Sequence, residues 1–240
     1  MRISFFLILF LSSSFLIAQE KQKMFFVSTN YDYQIPFSDL KVDYGVGSNI
    51  GFDISLLTIK NIYWSFSNSF MFGNSVKDTT ILDHLMDENN NIIDQNGQLA
   101  DITLQQRGFN TNLKLGYLHP TFKETSGFIG YGFIGFHQHK TRIDVRNSSV
   151  PQLNDDYKKI YDQLRNGIAT GAFLGFMHIS EKNFSHFYLG IEYTKAITQN
   201  RRSYNYHPVK NGNYDDSFLS LKLGWIIPIS KRSVKEYYYF

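Results

Sequence analysis

The chain has 240 residues, 24 basic and 21 acidic, for a net charge of +3, a balance that argues against a nucleic-acid partner. It has no cysteine, which excludes disulfide frameworks, thiolate metal sites and cysteine nucleophiles. Mean hydropathy of −0.27 excludes a helical membrane bundle but not a membrane barrel, whose strands are half polar, and 22 Phe and 16 Tyr against 2 Trp make the chain unusually aromatic.

The first element, "MRISFFLILFLSSSFLIAQE", reads as a secretory signal peptide over residues 1–18. Arg2 supplies the positive start, an apolar core follows to Ile17, and Ala18 precedes the expected cleavage point. The apolar run is short for a membrane span. No cysteine follows it, which excludes a lipoprotein anchor. The mature chain is therefore expected to be exported, with a barrel over residues 19–229 and a tail over 230–240.

Period-two alternation dominates the mature chain. Over 25–33, Phe25, Val27, Thr29, Tyr31 and Tyr33 oppose Phe26, Ser28, Asn30 and Asp32. Over 49–56, Ile50, Phe52, Ile54 and Leu56 oppose Asn49, Gly51, Asp53 and Ser55. Over 63–72, Trp64, Phe66, Phe70 and Phe72 oppose Ser65, Ser67 and Ser69. The fourth strand, 106–118, sets Phe109, Leu113, Leu115 and Tyr117 against Asn110, Asn112, Lys114 and Gly116. The fifth, "GFIGYGFIGFHQH", and the sixth, "GIATGAFLGFM", are glycine-rich and apolar on both faces, so their facing stays open. The seventh, 187–198, sets Phe187, Leu189, Ile191 and Tyr193 against Tyr188, Gly190, Glu192 and Thr194. The eighth, "SLKLGWIIPI", echoes "NLKLGYLHP" of the fourth. Short connections ("TIKN", "HPTFKETS", "SEKN") alternate with long ones over 34–48, 73–105, 140–166 and 199–217. This pattern predicts an all-β, eight-stranded, antiparallel up-and-down barrel with tight turns at one end and four long loops at the other.

Alternation fits a soluble or a membrane barrel. Three features favour the membrane. The polar faces carry Gly, Ser, Asn and Thr with few charges, unlike a solvated surface. Bulky apolar residues on one face of six strands exceed what a narrow interior holds. Tyr31, Tyr33, Trp64, Tyr117, Tyr193 and Trp225 read as interfacial aromatics near strand ends. On this reading Lys222 faces the lumen, where it needs a counter-charge. Glu192 on the neighbouring strand is the expected partner, and Asp32, Asp53 and Lys114 share the inward register and extend a charge network. Arg107 falls outward, at the rim.

The mature chain resembles the small outer-membrane β-barrels of Gram-negative bacteria, the OmpA/OmpX/OmpW-like class. Its most specific motif runs from polar Lys222 through Gly224 to apolar Ile227 and Ile229. The resemblance implies that this motif is a signal read by the barrel assembly machinery, and that the barrel sits in outer-membrane lipid and lipopolysaccharide. The family often ends at this strand on an aromatic residue, whereas here a basic and aromatic tail continues to Phe240. The internal motif and the chain end therefore compete as the signal. The tail is a candidate contact for a periplasmic or surface protein partner. OmpW-like members are thought to pass small apolar solutes, so a narrow channel is one alternative function, and an accessory role in a secretion or attachment machine is another.

Enzyme chemistry finds little footing, and no cofactor is expected. His137 and His139 share a face at i, i+2, the start of a metal site, but spacing supplies no third ligand. Ser185–His186 and Ser203–His207 do not make a convincing nucleophile and base. Asp87, Asn89 and Asn91 superficially resemble a calcium loop but lack its glycine and distal glutamate. The loop over 73–105 is acidic, a candidate for divalent cations. That over 140–166 is slightly basic, including Arg165, a candidate for lipopolysaccharide phosphates. Asn154 caps an expected amphipathic helix bearing Tyr157, Ile160, Tyr161 and Leu164, and Asn96-Gly97 predicts a hairpin. The expected role is structural or binding, a membrane scaffold presenting folded loops.

Overall fold

The structure, a computed structural model, describes residues 23–123, 126–180, 185–202 and 212–229. The expected signal peptide, the tail with Phe240, and Ser203 and His207 lie outside the described residues.

Alternating sequence becomes eight strands: β1 (Met24–Phe37), β2 (Gly47–Leu57), β3 (Ile62–Gly73), β4 (Asp101–Lys123), β5 (Ser126–Arg146), β6 (Arg165–Ile179), β7 (His186–Asn200) and β8 (Tyr214–Pro228). Each pairs antiparallel with the next, and β8 pairs back onto β1, closing the barrel. Closure leaves no sheet edge, the condition for a β-structure to sit in lipid.

The facing of β5 and β6 is now settled. On β5, Phe128, Ile134 and Phe136 point out while Ile129, Tyr131, Phe133, His137 and His139 are buried inside. On β6, Ile168 and Leu174 point out and Ala169, Phe173, Met177 and Ile179 point in. The barrel exterior is apolar from strand to strand. On β8 alone, Leu221, Leu223, Trp225 and Ile227 are each more than half exposed. A continuous apolar belt of this kind is stable only against lipid, because water would not tolerate so large a patch. Trp64, Trp225 and Tyr117 cluster toward the short-turn end. Tyr33 and Tyr193 lie toward the long-loop end, and Tyr31, opposite Leu223, sits between.

Two features go beyond the alternation. First, the lumen is not polar throughout. Its short-turn half is an aromatic and aliphatic core that includes Phe26, Tyr63, Leu118, Phe133, Phe173, Tyr188 and Ile226. The glycines of β6 to β8 make this packing possible. A methyl on Gly224 would come within 2.2 Å of the Tyr188 ring, and one on Gly190 within 2.5 Å of the Phe173 ring. Second, the strands run further into the long-loop side than the alternation suggested. β4 begins at Asp101 and β5 ends at Arg146, and their extension stands above the barrel.

The extension has its own core. Ile81, Leu82, Ile92, Ile143, Val150, Leu153 and Tyr161 pack together, drawing on both long loops and the β4–β5 hairpin. The Asn154 side chain does receive the backbone N–H groups of Asp156 and Tyr157. The helix it introduces, α2 (Lys158–Tyr161), is one turn rather than the longer helix expected. It ends as Gln163 adopts a positive φ of 47°. Asn96-Gly97 turns the chain as predicted, bridging Ile93 to Leu99 with Gly97 at φ 76°. A short helix, α1 (Ser38–Asp43), follows β1 and packs on β8 through Leu40, Tyr44 and Phe218.

Replacing Leu223 by Arg on the outer face should lower stability in lipid vesicles by about 2–4 kcal/mol. Val42→Arg, in α1 and 70% exposed, should change it by less than about 0.5 kcal/mol. Denaturant titration of vesicle-inserted protein makes the comparison. Equal effects would contradict a lipid-facing β8.

Candidate functional site

At mid-height the inward positions of five strands converge. Lys222 (β8) lies opposite Asp32 (β1), and Glu192 (β7) lies one pair further along β8, opposite Ser220. Lys222 Nζ donates to Glu192 Oε1 at 2.8 Å and lies 3.3 Å from Asp32 Oδ2. Lys114 (β4) donates to both Asp53 (β2) oxygens at 3.0 and 3.1 Å. All five side chains are buried. The structure thus brings all five predicted lumenal charges into one region, as two ion-paired groups.

Neutral donors join the groups to the aromatic core below. Tyr131 Oη donates to Glu192 Oε2 at 2.8 Å, and Tyr188 Oη donates to Asp53 Oδ2 at 2.9 Å. Lys114 also lies over the Tyr131 ring, 5.2 Å from its centroid. Asn49 Nδ2 donates to Asp32 Oδ2 at 3.0 Å. In sequence Tyr188 was legible only as alternation, and Tyr131 lay on a strand whose facing stayed open. Their role depends on the barrel diameter, which brings β5 and β7 aromatics onto β2 and β7 carboxylates. Just above, Asn30, Asn49, Ser67, Ser69, Asn110, Thr194 and Phe218 line a small polar cavity with room for about one water. Side chains therefore plug the lumen at this height.

Of the proposed assembly motif, Gly224 accommodates Tyr188, and Ile227 and Ile229 are exposed on the outside. Arg107 is partly buried beside Gln105 and Gln106 on the outer side of β4.

A second polar cluster lies higher, toward the long loops. His137 and His139 are essentially inaccessible, and Asp216 of β8 meets them. Arg165 was expected to be a basic loop residue. It is instead a buried member of this cluster, 2.6 Å from Asp43 and 3.8 Å from Asp216, with its guanidinium over the Tyr214 ring. Burial holds the Asp43 carboxyl above its ordinary range, against the opposing pull of Arg165.

Other candidates resolve into structure. His186 Nδ1 accepts the Ser180 backbone N–H at 3.1 Å across the β6–β7 turn, and Ser185 is exposed. Asp87 Oδ1 accepts the backbone N–H groups of Asn89 and Asn91, each at 2.8 Å. Asp94 Oδ1 accepts those of Asn96 and Gln98 at 2.9 and 2.8 Å. The Gln98 N–H, followed by the other amide donors, holds the Asp94 carboxyl below its ordinary range. The loop acids thus close turns. A lowered folded-state pKa stabilises the hairpin above the normal carboxylate range, and that contribution is lost as pH falls through the folded value. Asp94→Ala at neutral pH should therefore speed amide exchange at Asn96 and Gln98, leaving barrel amides unchanged. Unaltered exchange at both would refute this role.

Lys222→Met should destabilise the barrel by about 3–5 kcal/mol, because it strands two buried carboxylates. Adding Glu192→Gln should recover part of the loss. Additive single-mutant effects in unfolding titrations would show that the two side chains do not interact.

No family model matches the chain, and no curated protein sequence matches it. Among solved structures, Neisserial surface protein A is similar, with 12% identity over 85% of this chain and 96% of that chain, at a TM-score of 0.46. Ail, the attachment invasion locus protein of Yersinia pestis, in complex with the heparin analogue sucrose octasulfate, matches at 12% identity over 86% and 99%, with a TM-score of 0.41. The outer membrane protein OprG from Pseudomonas aeruginosa matches at 12% identity over 88% and 99%, with a TM-score of 0.39. Likeness at this level says nothing of binding or activity. The protein is an all-β, eight-stranded up-and-down barrel with an apolar exterior and a plugged lumen.

Proposed function

We propose that the protein is an integral outer-membrane barrel of a Gram-negative bacterium that acts as a sealed scaffold for a folded cap of surface loops. The observation that carries this reading is the combination of a lipid-type exterior with a lumen filled from the aromatic core through the Lys222 network. The short turns would face the periplasm and the cap the outside, the orientation of up-and-down outer-membrane barrels. The cap core built on Ile81, Ile143 and Tyr161 supports a rigid presented surface rather than loose loops.

Lipid and lipopolysaccharide would surround it. Beyond Phe136 on the outer side of β5, Lys140, Arg142 and Arg146 are each about half exposed. Cations at that level suit lipopolysaccharide phosphates. The exposed Ile227 and Ile229 on the last strand fit a segment read by the barrel assembly machinery during insertion.

The reading is tested by planar-bilayer recording of the full mature chain. The expected result is no ion-conducting steps from wild type. Regular conductance steps would overturn the sealed lumen and favour a narrow channel. Replacing Lys222, Glu192 and Asp32 together by alanine is the positive control for opening the plug.

A further inference from the structure

Closure of the barrel brings a distant carboxylate onto a pair of neighbouring histidines. His137 and His139 come from β5 and Asp216 from β8, and one ligand atom from each lies within 4.8 Å of the others. We propose that they bind a single divalent transition-metal ion of the zinc class, bracing β5 to β8 across the long-loop end of the lumen.

Three observations carry this. His137 Nδ1 meets Asn110 Oδ1, while the amide nitrogen of Asn110 is directed to Ser69 Oγ at 3.5 Å. With Nδ1–H donating to the amide oxygen, the His137 Nε2 lone pair is left free, and that atom is buried with no hydrogen-bond partner among the described residues. Fixing one ring nitrogen by a neutral acceptor so that the other can ligate is the usual support of a metal-bound histidine.

Second, His139 Nε2 and Asp216 Oδ2 lie 2.9 Å apart. Metal–nitrogen and metal–oxygen bonds of about 2.1 Å at a tetrahedral angle put two ligands about 3.4 Å apart. A small separation of the pair would seat an ion in place of the shared proton, which leaves to solvent. The Thr198 hydroxyl donates to the same Asp216 Oδ2 and so orients it, while Oδ1 is buried without a hydrogen-bond partner among the described residues.

Third, the local charge invites a cation. Asp43 and Asp216 are two carboxylates sharing the single guanidinium of Arg165, which sits closer to Asp43. Two imidazoles and one carboxylate favour zinc, cobalt, nickel or copper over calcium or magnesium, which want oxygen donors. Three protein ligands leave a fourth position to water.

The test uses the full mature chain, without a histidine tag, folded in detergent micelles, with Zn²⁺ titrated calorimetrically and Co²⁺ followed by its visible absorption. The expected result is one ion per chain and a tetrahedral cobalt spectrum. His137→Gln and Asp216→Asn should each weaken binding by at least about tenfold, and Asn110→Ala by about tenfold. His119→Gln, on the exposed outer side of β4, should leave binding unchanged. Circular dichroism confirms folding of each variant. Should Asp216→Asn not fold, His137→Gln decides alone, since no ion pair to His137 is at stake. Absence of stoichiometric binding by the folded wild type would overturn the site. So would undiminished affinity in folded His137→Gln, or loss of binding in His119→Gln. This readout is independent of conductance, so either proposal can fail without the other.

Discussion

An ammonium group inside a narrow barrel has few places to go. Lys222 cannot snorkel to an interface from mid-height, and a bare charge in a low-dielectric interior costs several kcal/mol. It is satisfied only because β7 and β1 flank β8 and each offers a carboxylate, Glu192 and Asp32. Glu192 is tied in turn to Tyr131 on β5, and Asp53 to Tyr188 on β7 and Lys114 on β4. Most strands therefore contribute to one polar layer, and that layer is complete only when β8 has found β1. The electrostatics reward closure itself rather than any single hairpin. This suits a chain whose edges would otherwise be unpaired in lipid.

Below that layer the lumen obeys volume rather than charge. Eight strands leave little interior, so every large inward ring needs a small neighbour. Tyr188 lies over Gly224, and Phe173 over Gly175 and Gly190. Tyr131 stacks on Phe173 with centroids 4.6 Å apart. The glycine at the heart of the assembly-type motif thus has a packing reason of its own. It holds open the space from which Tyr188 reaches Asp53, so packing and charge are not separable here.

The alternation made the barrel legible, because lipid outside and side chains inside impose opposite demands on successive residues. Lys222, Glu192, Asp32, Asp53 and Lys114 could be assigned to the lumen from register alone. β5 and β6 resisted for a physical reason. Their inner faces are apolar where they line the aromatic core, so Ile129, Phe133 and Phe173 look like lipid-facing residues in sequence. Strand ends were equally hidden, since the upper part of β4 and β5 is held by the cap core rather than by the membrane's period. Asp216 could not be joined to His137 and His139 because the link is set by closure, not by spacing. Arg165 misled as a loop residue because its partners, Asp43 and Asp216, lie far from it in the chain.

That last pairing shows how the cap and barrel are coupled. Asp43 ends α1, which sits above the mouth and packs on β8 through Leu40 and Phe218. Its carboxylate reaches Arg165 at the first residue of β6, and Arg165 approaches Asp216 on β8. Tyr44, just after α1, reaches Thr141 of β5 with its hydroxyl at 2.8 Å and sets its ring edge-on to His139. Lifting α1 would therefore break the contacts of a guanidinium and a phenol together, a net cost of about 0.5–3 kcal/mol for each hydrogen bond lost. The first loop is held down by the same cluster that fills the mouth. The long-loop face is accordingly a continuation of the barrel's interior, and its shape is set from within rather than by the loops alone.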